Sequence, residues 1–234
     1  MEFSLSEEEL EIVILSLKVA FYSSFINLPL AIGFGYILAK YKFFGRTFLD
    51  ATLSLPLVLP PVTTGYLLLI CLGRRSVIGE ILYDLFGLRL SFTTTGAIIA
   101  SMVVSFPLIM RAVKISFEMA DSKTEEAAET LGAPPWAVFR LVTLPVALPG
   151  IINGLILGFA RTLGEFGATI TFAGNIAGET QTMPLAVYSL MQVPGQESQA
   201  FKLVILSVIV SFAAMVISEL LNRRTMKKMT DGGV

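Results

Sequence analysis

Five apolar stretches, each long enough to cross a lipid bilayer as a helix, set the limits on what this chain can fold into. They cover residues 12–39, 48–72, 92–117, 148–172 and 201–221. A hydrocarbon core of about 30 Å is crossed by about 20 helical residues. Inside lipid every backbone N–H must be paired within the protein, which leaves helices or closed barrels. Barrel strands require alternating segments of about ten residues, and the chain has none. Composition agrees: 54% of the 234 residues are hydrophobic and only 15% are charged, against roughly 25% charged in an ordinary soluble domain. The expectation is an all-α, polytopic helical bundle forming a single domain over residues 1–234, with lipid as its surroundings and no nucleic-acid partner.

Charge gives the orientation. Lys40, Lys42 and Arg46 lie between the first two stretches. Arg111, Lys114, Lys123 and Arg140 follow in the third stretch and the segment after it, and Arg223, Arg224, Lys227 and Lys228 lie in the tail. With five spans these regions share one side, which the positive-inside rule makes cytoplasmic. The expectation is a multi-pass membrane protein with its N-terminus outside and its C-terminus in the cytoplasm. The acidic start, with Glu2, Glu7, Glu8, Glu9 and Glu11, is not a secretory signal, which needs a basic one. Arg74 and Arg75 violate the rule mildly. With Glu80 they are either simply solvated or a docking surface for a binding protein. Residues 180–193 are apolar but too short to span, and read as an interfacial or re-entrant piece on the outer side.

Enzymatic chemistry is poorly provided for. The chain has no histidine and one cysteine, Cys71, and no phosphate-binding loop of the G-x-x-x-x-G-K-[ST] type. No catalytic residue, metal site or resident cofactor is expected.

The segment from Ser122 to Pro135 is more specific. Ser122 and Glu125 have the spacing of a capping box, 126–131 are good helix formers, Gly132 stands where a left-handed helix end belongs, and Pro134 or Pro135 can open a second helix. A short amphipathic helix lying on the membrane would fit the same local physics. The wider spacing tips the balance. Glu126-Ala127-Ala128, three residues, Gly132, nine residues, then Val142-x-Leu144-Pro145 resembles the "EAA" loop of ABC import permeases, with Val142 in place of the usual Ile. That resemblance implies a type I importer permease fold and a coupling loop at about 121–144, where Glu126, Ala127, Ala128, Gly132, Leu144 and Pro145 seat a helix in a groove of a separate ATPase. ATP and Mg²⁺ would belong to that partner. Two permeases would pair with two ATPases.

Other features lie within the membrane. Gly150, Gly154 and Gly158 recur every four residues, within one helical arc that also takes Arg161 and Glu165. Small residues at that spacing let helices approach closely. Arg161 and Glu165, costly at the bilayer centre, are either a structural ion pair or part of a gate. Pro56, Pro60 and Pro61 break the second stretch, through kinked packing alone or as part of a pathway, and Pro107 and Pro149 carry the same ambiguity. Thr63-Thr64, Thr93-Thr94-Thr95 and 169–171 either line a weakly attractive path or bond backbone carbonyls. Candidate pathway or gate residues are thus Pro60, Pro61, Arg161, Glu165 and Thr169.

Beyond the loop, Leu55-Pro-Leu-Val-Leu-Pro-Pro-Val, Gly65-Tyr-Leu-Leu-Leu, Gly73-Arg-Arg with Ile78-Gly-Glu and Leu82-Tyr-Asp, Ala160-Arg-Thr-Leu-Gly-Glu-Phe-Gly-Ala-Thr-Ile-Thr-Phe, and Asn175-Ile with Gly178-Glu-Thr-Gln-Thr-Met-Pro resemble bacterial molybdate permeases, over nearly the whole chain. The resemblance implies ATP-driven molybdate import across the bacterial cytoplasmic (inner) membrane, fed by a periplasmic or lipoprotein molybdate-binding protein. Alternatives are a tungstate or sulfate permease of the same architecture, an ion-gradient transporter, which would call for more intramembrane carboxylates and for inverted repeats, and a membrane scaffold without transport.

Overall fold

A computed structural model describes residues 6–231; within that range the side chains of 122, 218, 221, 222 and 224–231 are outside the description, so the expected cytoplasmic cations Arg224, Lys227 and Lys228 lie outside the described residues, as does Glu2. Among the described residues all regular structure is helical. The helices are α1 (Glu7–Lys40), α2 (Arg46–Val58), α3 (Pro61–Leu72), α4 (Val77–Phe86), α5 (Thr94–Met119), α6 (Ser122–Thr130), α7 (Pro135–Val138), α8 (Leu144–Leu163), α9 (Gly167–Phe172), α10 (Met183–Met191) and α11 (Glu197–Asp231). A π turn, Phe139–Thr143, joins α7 to α8.

Four helical segments are long and apolar enough to cross a membrane alone: Glu7–Lys40, Thr94–Met119, Pro135–Leu163 and Glu197–Ile217. The α2–α3 pair, bent by 114° at its break, has the form of a broken span or of a re-entrant loop, and makes a fifth crossing if its two halves count as one span. Here the structure corrects the expectation of a single span over 48–72. Pro56 is carried inside α2, and the chain breaks at Leu59 and Pro60, both extended, before Pro61 opens α3. The cause is local: a residue preceding proline is pushed out of the helical region, and here two such residues are consecutive.

The stretch 148–172 also differs from a single helix. Its helix starts earlier, continuous with α7, and stops at Leu163; α9 resumes after Gly164–Phe166. The 29 residues from Pro135 to Leu163 rise about 43 Å, so 167–172 is not needed for the crossing. Segment 180–193 becomes α10, nine residues and too short to span, with Met183, Leu185 and Ala186 buried. The helices continue through Pro107 and Pro149.

The core forms where α5 lies between α1 and α8. Ala31, Leu38, Ile109, Met110, Val113, Phe117, Ala147 and Ile151 pack as one cluster. The glycine stripe explains the α5–α8 contact. A methyl group on Gly150 would collide with the Ser116 hydroxyl, one on Gly154 would stand 3.1 Å from the Ala112 Cβ, and one on Gly158 would run into Ile109. The stripe is therefore a packing face. Polar staples fasten the remaining contacts: Asn27 Nδ2 donates to the Met102 carbonyl (2.9 Å) and Ser105 Oγ (3.1 Å), Ser23 Oγ donates to Thr162 Oγ1 (3.3 Å), and Ser16 Oγ accepts from the Met183 N–H (2.8 Å). The outer surface of α11 is apolar and exposed, as at Val208 and Phe212, which suits lipid as the solvent.

Candidate functional site

At the end of the bundle where α5 stops, the chain turns through a short exposed knob. Asp121 caps α6, its carboxylate accepting the Lys123 N–H at 3.0 Å. The capping box expected from Ser122 and Glu125 is therefore displaced by one residue, because Asp121 is an equally good cap and Glu125 is engaged elsewhere. The far end is a Schellman turn: Gly132 N–H donates to the Glu129 carbonyl (2.9 Å), Ala133 N–H donates to that of Ala128 (3.1 Å), and Gly132 has φ +88°. Pro135 then opens α7. Glu126, Ala127, Glu129 and Gly132 are exposed, and beside them Leu131 is 88% and Trp136 64% exposed. A knob with two large bare apolar side chains, at a charged end of the molecule, has the form of a docking element.

The knob is tied to the crossing helices through Glu125. Its Oε2 lies 2.8 Å from Lys40 Nζ at the end of α1, and its Oε1 accepts from Thr143 Oγ1 at 2.6 Å, just before α8. Lys40 also donates to the Ala120 carbonyl (3.2 Å), the last link of α5. One carboxylate and one ammonium thus clamp α1, α5, α6 and the start of α8. The π turn holding Thr143 has its own cause. Pro145 lacks an N–H and its ring crowds the carbonyl four residues back, and widening the turn relieves this, with Leu144 N–H reaching the Phe139 carbonyl. Leu144 and Pro145 are half-buried at the root of α8; they anchor the loop and do not belong to its exposed face.

On the same half of the bundle α2 and α5 are joined by a ladder. Arg46 pairs with Glu118 (3.5 Å), Asp50 with Lys114 (2.6 Å), and Ser54 Oγ accepts from Arg111 Nε (3.4 Å). Steps of four along α2 meet steps of three and four running back along α5, as antiparallel helix faces require.

The other candidate residues gather around the two breaks. Gly167, opening α9, lies against Pro61, opening α3: a Cβ there would be 2.9 Å from Pro61 Cβ and 3.0 Å from the Val62 N. A Cβ on Gly65 would be 2.6 Å from the Ala168 carbonyl oxygen. Thr64 and Thr169 are buried beside this crossing, while Pro60 is exposed. Glu165 is 3% exposed. Its Oε1 accepts the Ala168 N–H (2.9 Å), bracing the start of α9, and its Oε2 lies 2.7 Å from Arg161 Nη1. That second contact is ionic, without an aligned hydrogen bond. The expected ion pair is present, but its members do not share one helix: α8 ends before Glu165, and the carboxylate turns in from the connecting segment. Pro61, Glu165 and Thr169 therefore border one crossing, Arg161 pairs with it from α8, and this cluster is separate from the knob.

Sequence reasoning missed Glu125, Lys40 and Thr143 as a clamp, Asp50 with Lys114, and Asn27. For Asn27, Asp50 and Lys114 the available signal was a polar residue standing inside an apolar helix, where lipid makes a partner obligatory.

Residues 31–227 match the family described as the inner membrane component of binding-protein-dependent transport systems. The chain is 51% identical over 226 residues to the molybdenum transport system permease protein ModB of Haemophilus influenzae, covering 97% of this chain and 99% of that protein. To ModB of Escherichia coli K12 it is 52% identical over 219 residues, covering 94% and 96%. The putative molybdenum transport system permease YvgM of Bacillus subtilis is 40% identical, covering 86% and 88%. In fold it is similar to a chain of a bacterial alginate ABC transporter (TM-score 0.76, 17% identity, 94% of this chain and 80% of that one). It is also similar to a chain of the inward-facing methionine transporter MetNI (TM-score 0.71, 18% identity, 94% and 99%). With residues 31–227 matched and relatives 51–52% identical over nearly their full length, the chain belongs to the inner membrane components of binding-protein-dependent transport systems.

Proposed function

We propose that this chain is the membrane-spanning, non-catalytic subunit of an ATP-driven importer of molybdate. The observation that carries this is the 51–52% identity, over nearly the full length of both chains, to proteins named as molybdenum transport permeases. A sulfate reading has weaker support: the probable sulfate permease of Chlorella vulgaris is 34% identical over 76% of this chain.

In the proposed assembly two copies pair with two ATPase subunits, which hold ATP and Mg²⁺, and a binding protein delivers the anion at the opposite face. The N-terminus lies outside and the C-terminus in the cytoplasm. The exposed face of Glu126, Ala127 and Gly132, with Ala128 half-buried behind it, seats α6 on the ATPase. The Glu125 clamp supports this role, because a pull on α6 reaches α1 through Lys40 and α8 through Thr143. Leu144 and Pro145 root the lever. At the breaks, Pro60 and Pro61 let α3 move against α9, and Arg161 with Glu165 holds the α8–α9 joint near Thr169, so that the crossing serves as a gate.

The test is ATP-driven uptake of radiolabelled molybdate into proteoliposomes holding the permease with its ATPase and receptor, in competition with tungstate and sulfate. Uptake displaced preferentially by sulfate would reject molybdate as the substrate, and a chain that never co-purifies with an ATPase would reject the importer.

A further inference from the structure

At the end of the bundle opposite α6, between the α3–α4 corner, the turn before α5 and the segment around Glu179, lies an open cavity of about 860 Å³. Arg74, Arg75 and Arg89 line it, with Ser76, Ser91 and Thr93. Glu179 is the one carboxylate among its described lining residues. Among the described residues Lys40, Arg46, Lys114, Arg161, Lys202 and Arg223 stand within ion-pair distance of a carboxylate; Lys18, Lys42, Arg111, Lys123 and Arg140 do not, and neither do Arg74, Arg75 and Arg89, but these last three share one concavity. Three guanidiniums without a counter-ion on one concavity are costly through mutual repulsion unless an anion visits.

Two of the three arginines are also held in place. Arg74 and Arg89 both lie over the Tyr83 ring, their Cζ atoms 5.0 and 5.2 Å from its centroid, and Arg89 Nη2 donates to the phenolic oxygen (3.3 Å). That hydrogen bond, then the charges of Arg89 and Arg74, hold the Tyr83 hydroxyl below its ordinary pKa. The ring stands on α4, whose start is folded tightly onto the preceding turn: Ser76 caps the Gly79 N–H at 2.9 Å, and a side chain on Gly79 would strike the Gly73 carbonyl. Thr93 caps α5, so the positive end of a 26-residue helix faces the same space. Guanidinium forks fit the oxygen edges of tetrahedral oxyanions.

We propose that this cavity is a low-affinity binding site for a tetrahedral oxyanion dianion, occupied before the anion enters the bundle. The inference deepens the molybdate reading and rests on it for the identity of the anion. The cavity is wide and open, so water and salt screen its charge and binding is weak and quickly reversed, as a relay requires.

The test measures equilibrium binding of labelled molybdate, and separately of labelled sulfate, to the permease–ATPase complex without receptor, in phosphatidylcholine nanodiscs, which exclude anionic lipid headgroups as the ligand. Binding is expected to saturate, to weaken with added salt, and to fall at least tenfold in R74Q/R89Q. R74K/R89K keeps the charges and loses the forks, and is expected to fall between the two; it carries the test if the glutamine variant does not assemble. Affinity unchanged in both variants overturns the proposal. So does anion binding that survives while receptor association is lost, because the arginines would then serve a protein partner. Wild-type complex that imports molybdate but binds it independently of these arginines sinks this inference alone. Arginine-dependent binding of sulfate in a complex that imports no molybdate sinks the substrate reading instead.

Discussion

Replacing Glu125 by Gln tests whether the clamp transmits force. Glutamine keeps an acceptor for Thr143 but removes the charge facing Lys40. Both partners of that pair are only 16–17% exposed, so the contact is partly dehydrated and outside the class of surface ion pairs that contribute little. Losing one charge-assisted hydrogen bond while stranding a half-buried ammonium costs about 2 kcal/mol. The loss is local, because the α1–α5–α8 core does not depend on it. A cost of that size raises the equilibrium for detaching α6 by roughly 30-fold. Hydrogen exchange should therefore accelerate at the amides of 126–133 by up to that factor, with the amides of α5 around Val104 unchanged. In proteoliposomes ATP hydrolysis should persist while molybdate imported per ATP falls. K40M should act the same way, and the double variant should cost less than the sum, since the two residues share one contact. If exchange across α6 and the transport ratio both match wild type, force does not pass through this carboxylate and the clamp is only packing.

Three further substitutions probe other levels of the structure. G132A meets no atoms within 4 Å but forces a side chain into φ +88°; the strain of about 1–2 kcal/mol should weaken receptor-stimulated ATP hydrolysis while leaving the melting temperature of the bundle within a few degrees of wild type. G167V brings carbon against Pro61 and the Val62 backbone at 2.9–3.0 Å, so α3 and α9 must separate; uptake should drop sharply, whereas G132A should reduce only coupling. N27L removes the donors to Met102 and Ser105, and thermal unfolding in detergent should report a loss of about 1 kcal/mol, with no change in substrate preference.

The parts legible in the sequence were those set by local pattern. Apolar length gave the crossings, because lipid imposes it on each helix separately. The turn at Gly132 was legible because only a left-handed residue closes a Schellman motif. The glycines of α8 marked a packing face but not the helix it meets. What stayed hidden depends on distance through space. Glu125 reads as part of a cap and instead bonds Lys40, 85 positions away. Asp50 and Lys114 lie 64 apart, and nothing local to either names the other. The break after Leu163 was hidden for a different reason. The largely apolar composition continues from α8 into α9, so hydropathy does not separate a crossing helix from the short helix that follows it; only Gly164 and the carboxylate of Glu165 give the break away.

The placement of charge divides the molecule into a half that must hold together and a half that must receive. Towards α6, three cations meet carboxylates from other helices, Lys40 with Glu125, Lys114 with Asp50 and Arg46 with Glu118, while Arg111 bonds the Ser54 hydroxyl instead. Such pairs resist shear between α1, α2, α5 and α6, which a lever pulled by another subunit requires. At the opposite end Lys202 meets Glu9, joining α11 to α1, yet the three arginines beside α3 and α4 remain without carboxylate partners. Pairing them would have been simple in sequence terms, since Glu80 and Asp84 stand on the neighbouring helix, but neither forms an ion pair with them, while Tyr83 orders the guanidiniums of Arg74 and Arg89 without neutralising them. An aromatic ring fixes a cation and leaves its charge and most of its donors available. Stability alone would favour a carboxylate at that position; a surface kept positive and ordered is the arrangement that serves an anion arriving from water.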